Sequence, residues 1–255
     1  MRITRSLINK AGKRIKRRLY AIIFFFKTVS HFSQLKFHSK PRFSLQLRDL
    51  QLCLFDATAH TGFDRHYVFH TAWASRILAE TKPDFHTDIS SSLYFVANVS
   101  AFIPIEFYDY RPAKLGLSGL NSHQGDLYAL PFANGSIRSL SCMHVVEHIG
   151  LGRYGDQLDY DGDIKAVSEI KRAMAFSGNL LFVVPIGGES LIKFNAHRIY
   201  TYHQIVSMFS GFRLKEFSLI PDNEMEGGLI RHASETQANS QQYGCGCFWF
   251  EKETN

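Results

Sequence analysis

From Asp84 onward, short runs rich in β-branched and aromatic residues alternate with helix-length segments, the pattern of a parallel sheet joined by crossover helices. Strands are predicted at Phe85 to Ile89, Ile103 to Tyr108, Asn121 to Gln124 and Ile137 to Val146. Leu180 to Val184 is a continuous apolar run ending at Pro185, as expected of a central strand covered on both faces. Arg213 to Ile220 and Cys245 to Glu251 complete the set as two closing strands. Helices are predicted from His66 to Glu80, before Lys82-Pro83, and from Tyr202 to Phe209. Ile164, Val167, Ile170 and Met174 share one helical face, and Ser177-Gly178 is the expected stop of that helix, which is placed at Ile164 to Ala175.

Charge divides the chain. The first 48 residues hold 13 Lys/Arg and no acid, leaving 16 basic against 23 acidic residues in the remainder, so the formal charge of +6 conceals an acidic domain. Residues 49–255 therefore read as one domain behind a basic extension, 1–48. An acidic domain is poorly suited to neutralising phosphates, so no nucleic-acid partner is expected for it. Within the extension, basic residues precede an apolar run from Leu19 to Phe26, closed by Lys27. That run is far short of the roughly 20 residues a spanning helix needs. A secretory signal lacks its small-residue cleavage pattern here. Two readings remain: a helix lying on an anionic membrane surface, or a solvated, partly disordered arm whose aromatics pack on the domain or on a second subunit.

The four cysteines, Cys53, Cys142, Cys245 and Cys247, are too few for a disulfide framework and suit a reducing, cytoplasmic setting, peripheral at the inner membrane face if the arm binds there. Cys245 and Cys247 lie two apart in a predicted strand and face the same side. No second Cys/His pair at zinc-ribbon spacing accompanies them, so they read as buried apolar groups, with no metal site expected.

Four segments lie in order at the ends of predicted strands: Asp88-Ile89-Ser90-Ser91-Ser92, Phe107 to Pro112 with Asp109, Gly125-Asp126-Leu127 to Phe132, and Met143-His144 to Ile149; Glu169 to Arg172 and Ser177 to Leu181 then supply a helix, a turn and the fifth strand. Together they resemble the motifs of class I S-adenosylmethionine-dependent methyltransferases. The resemblance implies an α/β, Rossmann-like fold with a mostly parallel seven-stranded sheet and an antiparallel closing strand. It also implies S-adenosylmethionine as cofactor, with Asp88, Ser90, Ser92, Asp109, Asp126, Leu127 and His144 around it. Asp109 would take the ribose hydroxyls and Asp126 would face the adenine amine, roles that suit a carboxylate because it accepts several hydrogen bonds. Where the family has glycines, this chain has Ser90 and Ser92. Their hydroxyls can bond the methionine carboxylate near a helix N-terminus, or the substitution marks a weakened cofactor site.

A closer resemblance, from about Phe63 to Lys252, rests on Gly62 to Tyr67, Glu147 to Asp156 and Phe194 to Arg198. It is to an uncharacterised methyltransferase-like family catalogued as a domain of unknown function, similar to enzymes of bacterial surface-glycan pathways. This implies a small-molecule or glycan acceptor. Methyl transfer to a hydroxyl needs an aligned acceptor and a base, most often histidine at neutral pH. His148 and His197 are the candidate catalytic residues, with Arg153, Asp156, Asn195 and Arg198 as acceptor contacts. Structurally, His148 could instead cap a helix and Arg153 pair with Asp156. Asp64, His66 and Tyr67 read as a lid over the donor, or as an ordinary helix start with Asp64 as N-cap.

His144-Val145-Val146-Glu147-His148 also spells H-x-x-E-H, the pattern of a zinc hydrolase. That chemistry needs both histidines on one helix face, whereas Ile137 to Cys142 alternates like a strand and Gly150 and Gly152 follow at once. The sequence thus leads to O-methylation of a saccharide or lipid-linked glycan. A non-catalytic module binding a glycan intermediate or a glycosyltransferase partner is the first alternative, and a zinc hydrolase using His144 to His148 the remote one.

Overall fold

The computed structural model describes residues 2–37 and 42–254, with side chains in the first stretch from 12 to 35. Compactness divides the chain after Gly62, beyond the charge boundary at Arg48. In the first unit, helix α1 (Arg2–Phe37) carries exposed Ile15, Leu19, Ile23 and Phe26, at the three- and four-residue spacing of one face. The Arg17 guanidinium lies 5.0 Å from the Phe55 ring centroid. The side chains of Arg2, Arg5 and Lys10 lie outside the described residues. No helix among the described residues is long and apolar enough to cross a membrane.

The second unit begins with α2 (Arg65–Thr81), whose first turn is capped by the Asp64 carboxylate accepting from the Tyr67 amide at 3.2 Å. Then follow β1 (His86–Ile89), α3 (Leu93–Val99), β2 (Ile105–Asp109), β3 (Leu120–Gln124) and β4 (Ile137–Met143). Next are α4 (Gly162–Ala173), β5 (Met174–Ile186), a small hairpin of β6 (Leu191–Lys193) and β7 (His197–Ile199), and α5 (Tyr202–Met208). β8 (Phe212–Ile220), α6 (Glu235–Asn239) and β9 (Gly244–Lys252) close the chain. Seven strands form one sheet in the order β3-β2-β1-β4-β5-β9-β8. The first five are parallel, and β9 runs antiparallel to both its neighbours.

Alternation along the central strands sends side chains to two cores. Leu180, Phe182 and Val184 of β5 join Phe248 and Phe250 of β9 in one, against α4 and α5. Leu181 and Val183 join Cys245, Cys247 and Trp249 in the other, against α2 and α3. Two of the boundaries that differ from expectation have a clear physical cause. Helix α4 stops at Ala173, because Met174 already pairs with Ile137. Ser177, at φ +59°, and Gly178 therefore form an irregularity inside β5 and do not stop the helix. Strand β4 ends at Met143, not Val146, since His144 at φ +57° turns the chain into a 3-10 turn at Val146–His148.

Helix α2 is tied to the sheet by Glu216, which is 3% exposed. Its carboxylate accepts from Trp73 Nε1 at 3.0 Å, Ser218 Oγ at 2.6 Å and the Arg231 guanidinium. Burial alone would raise this carboxyl, but the bonds from Arg231, Ser218 and Trp73 outweigh it and bring it down to about 2. A depressed carboxyl stabilises the fold above its ordinary 4.5 and ceases to as pH falls toward 2. That contribution is on the order of 2–3 kcal/mol. Glu216→Gln should lower the melting temperature at neutral pH, and denaturant titrations of the variant should lack the wild-type loss of stability in that acid window. An unchanged acid dependence would show that Glu216 is not the anchor.

Candidate functional site

In an open parallel sheet, a crevice forms where the strand order reverses, beyond the carboxyl ends of the strands. Here that point lies between β1 and β4. A cavity of about 400 Å³ occupies it, lined by Ser90 after β1, Asp109 ending β2, Gly125, Asp126 and Leu127 after β3, and His144 after β4. Each acid commits one oxygen to its own turn: Asp109 Oδ1 accepts from the Arg111 amide at 2.7 Å, and Asp126 Oδ1 from the Tyr128 amide at 2.8 Å. Among the described residues, the second oxygen of each makes no hydrogen bond. A Cβ at Gly125 would come within 3.0 Å of Tyr108 Cβ, so glycine keeps this wall close to β2.

Ser90 stands at φ +52°, in the left-handed region that glycine enters without strain. Its amide and hydroxyl both donate to the Tyr108 carbonyl, at 2.8 and 3.2 Å. Two residues expected at the cofactor do not line this cavity. Ser92 sits at the N-cap of α3, where its side chain caps nothing. Asp88 is fully buried beneath the loop. Its carboxylate accepts from the Ser91 amide at 3.0 Å and from the Ser141 hydroxyl. Burial, opposed by these bonds, pushes its carboxyl up to about 7.

A second cavity, of about 460 Å³, adjoins the first: Tyr67, His144, His148 and Tyr154 line both. Asp64, His66, Arg153 and His197 also face it, as do Glu147 and Tyr243. His148 Nδ1 lies 2.6 Å from the Ala196 carbonyl, so Nδ1 carries the proton and Nε2 is the bare acceptor. Burial holds His148 below its ordinary value, against the pull of Glu147 and that carbonyl. The histidine thus does not cap a helix. Burial also lowers His197, whose Nε2 is buried and unpartnered among the described residues. His66 stacks on His144, with ring centroids 5.4 Å apart, and burial with that neighbour brings it down to about 4.

The expected acceptor contacts divide. Arg153 faces the second cavity and donates to the Ala196 carbonyl at 3.1 Å. Asp156 lines the first cavity but does not pair with it, its carboxylate accepting instead from the amides of Gly150, Gly152 and Tyr154. Arg198 is a correction: it is 5% exposed and its guanidinium donates to the carbonyls of Ile149 and Tyr160 beside Asp163, anchoring the loop after β4. Asn195 is another, exposed in the β6–β7 turn and lining neither cavity. The H-x-x-E-H pattern does not form a helix face. His144 Nδ1 goes to Glu147 Oε1 at 2.8 Å and its Nε2 to Cys245 Sγ at 3.4 Å, while His148 turns to Ala196.

Sequence reasoning missed Tyr243, Tyr154 and Glu147 as site residues. Tyr243 stacks on His197 with centroids 5.0 Å apart, brought from the far end of the chain by β9, and no local pattern announces it.

Residues 134–244 match a family profile described as Caenorhabditis protein of unknown function, DUF268. No curated protein matches the chain. Among solved structures, it is similar to the Burkholderia thailandensis 1,6-didemethyltoxoflavin-N1-methyltransferase, crystallised with S-adenosylhomocysteine, at 10% identity and TM-score 0.51 over 73% of this chain and 79% of that one. An S-adenosylmethionine-dependent methyltransferase from Thermotoga maritima is similar at 12% identity and TM-score 0.51, over 73% and 91%. The [4+2]-cyclase SpnF is similar at 11% identity and TM-score 0.51, over 72% and 81%. The fold is therefore the Rossmann-like fold of class I methyltransferases, as the strand order and antiparallel β9 require. A cyclase among these neighbours marks how little fold alone says of the reaction.

Proposed function

We propose that this protein is an S-adenosylmethionine-dependent methyltransferase that methylates a hydroxyl of a saccharide or lipid-linked glycan. The observation that carries the reading is the pair of adjoining cavities at the strand-order reversal, with Asp109 and Asp126 in the first and His148 between them. The first cavity falls within the roughly 300–1,000 Å³ of small-molecule sites. Asp109 at the end of β2 would hold the ribose hydroxyls and Asp126 the adenine amine, each through its uncommitted oxygen. When bound, the sulfonium supplies an electrophilic methyl group. This chain's own part is to hold the acceptor in the second cavity and receive its proton at His148 Nε2. Tyr67, Tyr154 and Tyr243 offer ring faces, and Arg153 and Asp64 polar groups, to a molecule with both apolar and hydroxyl surfaces.

Calorimetric titration should show micromolar binding of S-adenosylmethionine and S-adenosylhomocysteine that Asp109→Ala abolishes. No binding by folded wild type would overturn the reading in favour of a non-catalytic glycan-binding module. His148→Asn should retain S-adenosylhomocysteine affinity while turnover of a surrogate glycan acceptor falls about 10²–10⁴-fold. Because burial lowers His148, its base form persists somewhat below pH 6.5, so wild-type activity should decline only below that value. A decline beginning at higher pH would assign the base elsewhere.

We further propose that the protein associates with an anionic membrane face, a reading supported by the exposed apolar residues of α1 beside Lys13, Arg14, Lys16, Arg17, Arg18 and Lys27. Cosedimentation with phosphatidylserine vesicles, lost when these six residues are changed to glutamine, is the expected result. Equal retention of wild type and variant would remove the membrane from the proposal.

A further inference from the structure

Beside the second cavity, donors from three distant parts of the chain come together. His66 comes from the first turn of α2, His144 from the left-handed turn after β4, and Cys245 from β9. One ring nitrogen of each histidine and the cysteine sulfur all lie within 4.8 Å of one another. Two nitrogens and a sulfur are the donor set of a borderline-soft cation. Around zinc, bond lengths of about 2.0–2.3 Å at tetrahedral angles give a nitrogen-to-sulfur edge of about 3.5 Å. His144 Nε2 and Cys245 Sγ are 3.4 Å apart.

The orientation of His144 is fixed from behind. Its Nδ1 lies 2.8 Å from Oε1 of Glu147, a residue 1% exposed. A carboxylate in that position accepts a hydrogen bond from Nδ1–H and leaves Nε2 bare, facing the thiol. This carboxylate–histidine arrangement recurs behind metal-bound imidazoles, where it sets the tautomer and raises ligand basicity. A second sulfur, Cys247 Sγ, lies 4.0 Å from Cys245 Sγ on the same face of β9. Nearby, His70 Nδ1 is 2.6 Å from the His66 carbonyl, so this bond fixes the chain where His66 projects.

We propose that His66, His144 and Cys245 bind one zinc ion, with Glu147 as the positioning residue of His144. Binding replaces the Cys245 thiol proton by a sulfur–zinc bond, and the proton leaves to solvent. His66 and His144 line the second cavity whereas Cys245 is fully buried, so three ligands close the site from the protein side and leave the remaining position on the cavity side. An oxygen of the acceptor is what that position would hold. This last step rests on the methyl-transfer reading; the binding of zinc does not.

Cobalt(II) added to the metal-stripped, reduced full-length protein reads the site without any activity. The expected result is one equivalent bound, with the strong visible bands of tetrahedral cobalt and a thiolate-to-cobalt charge-transfer band, all displaced by zinc. Cys245→Ser should abolish the charge-transfer band and Cys53→Ser should leave it intact. His66→Gln, on the cavity wall, should weaken cobalt affinity at least tenfold even if the core variant Cys245→Ser fails to fold. Glu147→Gln should weaken affinity about 10- to 100-fold. Folded wild type that takes neither cobalt nor zinc from a chromophoric chelator would overturn the proposal, leaving a thiol-to-imidazole hydrogen bond at this place. A charge-transfer band that survives in Cys245→Ser, or affinity unchanged in His66→Gln, would overturn it equally. Failure of donor binding with cobalt bound, or the reverse, separates this site from the methyl-transfer reading.

Discussion

A carboxylate buried where the strand order reverses holds the site region together. Asp88 is the last but one residue of β1, just before Ile89, and β4 is its neighbour across the reversal. Between these two strands runs a chain of hydrogen bonds: the Ser139 hydroxyl and His86 Nδ1 lie 2.7 Å apart, His86 Nε2 and Ser141 Oγ 2.8 Å, and Ser141 donates to Asp88. Since the Ser141 hydroxyl donates to Asp88, its oxygen accepts from His86 Nε2, and the remaining nitrogen accepts from Ser139. Burial brings His86 down to about 3, in keeping with this neutral tautomer. The network is closed at its upper end by Ser91, whose amide reaches Asp88 and whose hydroxyl accepts from the Met143 amide at 3.1 Å. Both lips of the crevice are thereby fastened to one buried acid. Leaving any of these polar atoms unpaired in the core would cost about 1–3 kcal/mol, so the arrangement is rigid for a physical reason.

That network also accounts for a loop without the usual glycines. A serine at φ +52° is disfavoured by roughly 1–2 kcal/mol relative to a right-handed conformation. The Ser90 amide and hydroxyl together hold the Tyr108 carbonyl, and Ser91 holds β4. Bonds worth about 0.5–1.5 kcal/mol each offset strain of that size. The hydroxyls consequently shape the backbone from within the loop, and only Ser90 also borders the cavity. Serines here are compatible with a formed pocket.

The layers of the fold were legible in the sequence because period-two and helical spacing are local signals. Each of the seven sheet strands overlaps its expected segment, and the closing antiparallel strand follows from the resemblance. What was not legible depends on partners distant in the chain. Ser177-Gly178 looks like a helix stop until Met174 is seen paired with Ile137. Arg198 looks like a ligand contact, yet the carbonyls of Ile149 and Tyr160 claim it. Asp88 looks like part of a cofactor motif and proves to lie under it. Cys245 and Cys247 did share a face, as the strand spacing required, but the histidines beside Cys245 come from α2 and the β4 exit, and no spacing rule links them.

The loop after β4 shows how the two cavities are coupled. Gly150, at φ +78°, has no room for a side chain: a Cβ there would stand 2.1 Å from the Asp159 carbonyl. Asp156 gathers the amides of Gly150, Gly152 and Tyr154, backbone bonds that outweigh burial and keep its carboxyl low. Arg198 fixes the loop's two ends through Ile149 and Tyr160. His148 and Tyr154, which line both cavities, thus stand on a loop closed by its own backbone and by one buried arginine. The bonds that hold this loop all come from the protein itself. Under the methyl-transfer proposal, this makes the proton acceptor pre-organised rather than assembled by substrate, the condition under which a positioned base contributes most to rate.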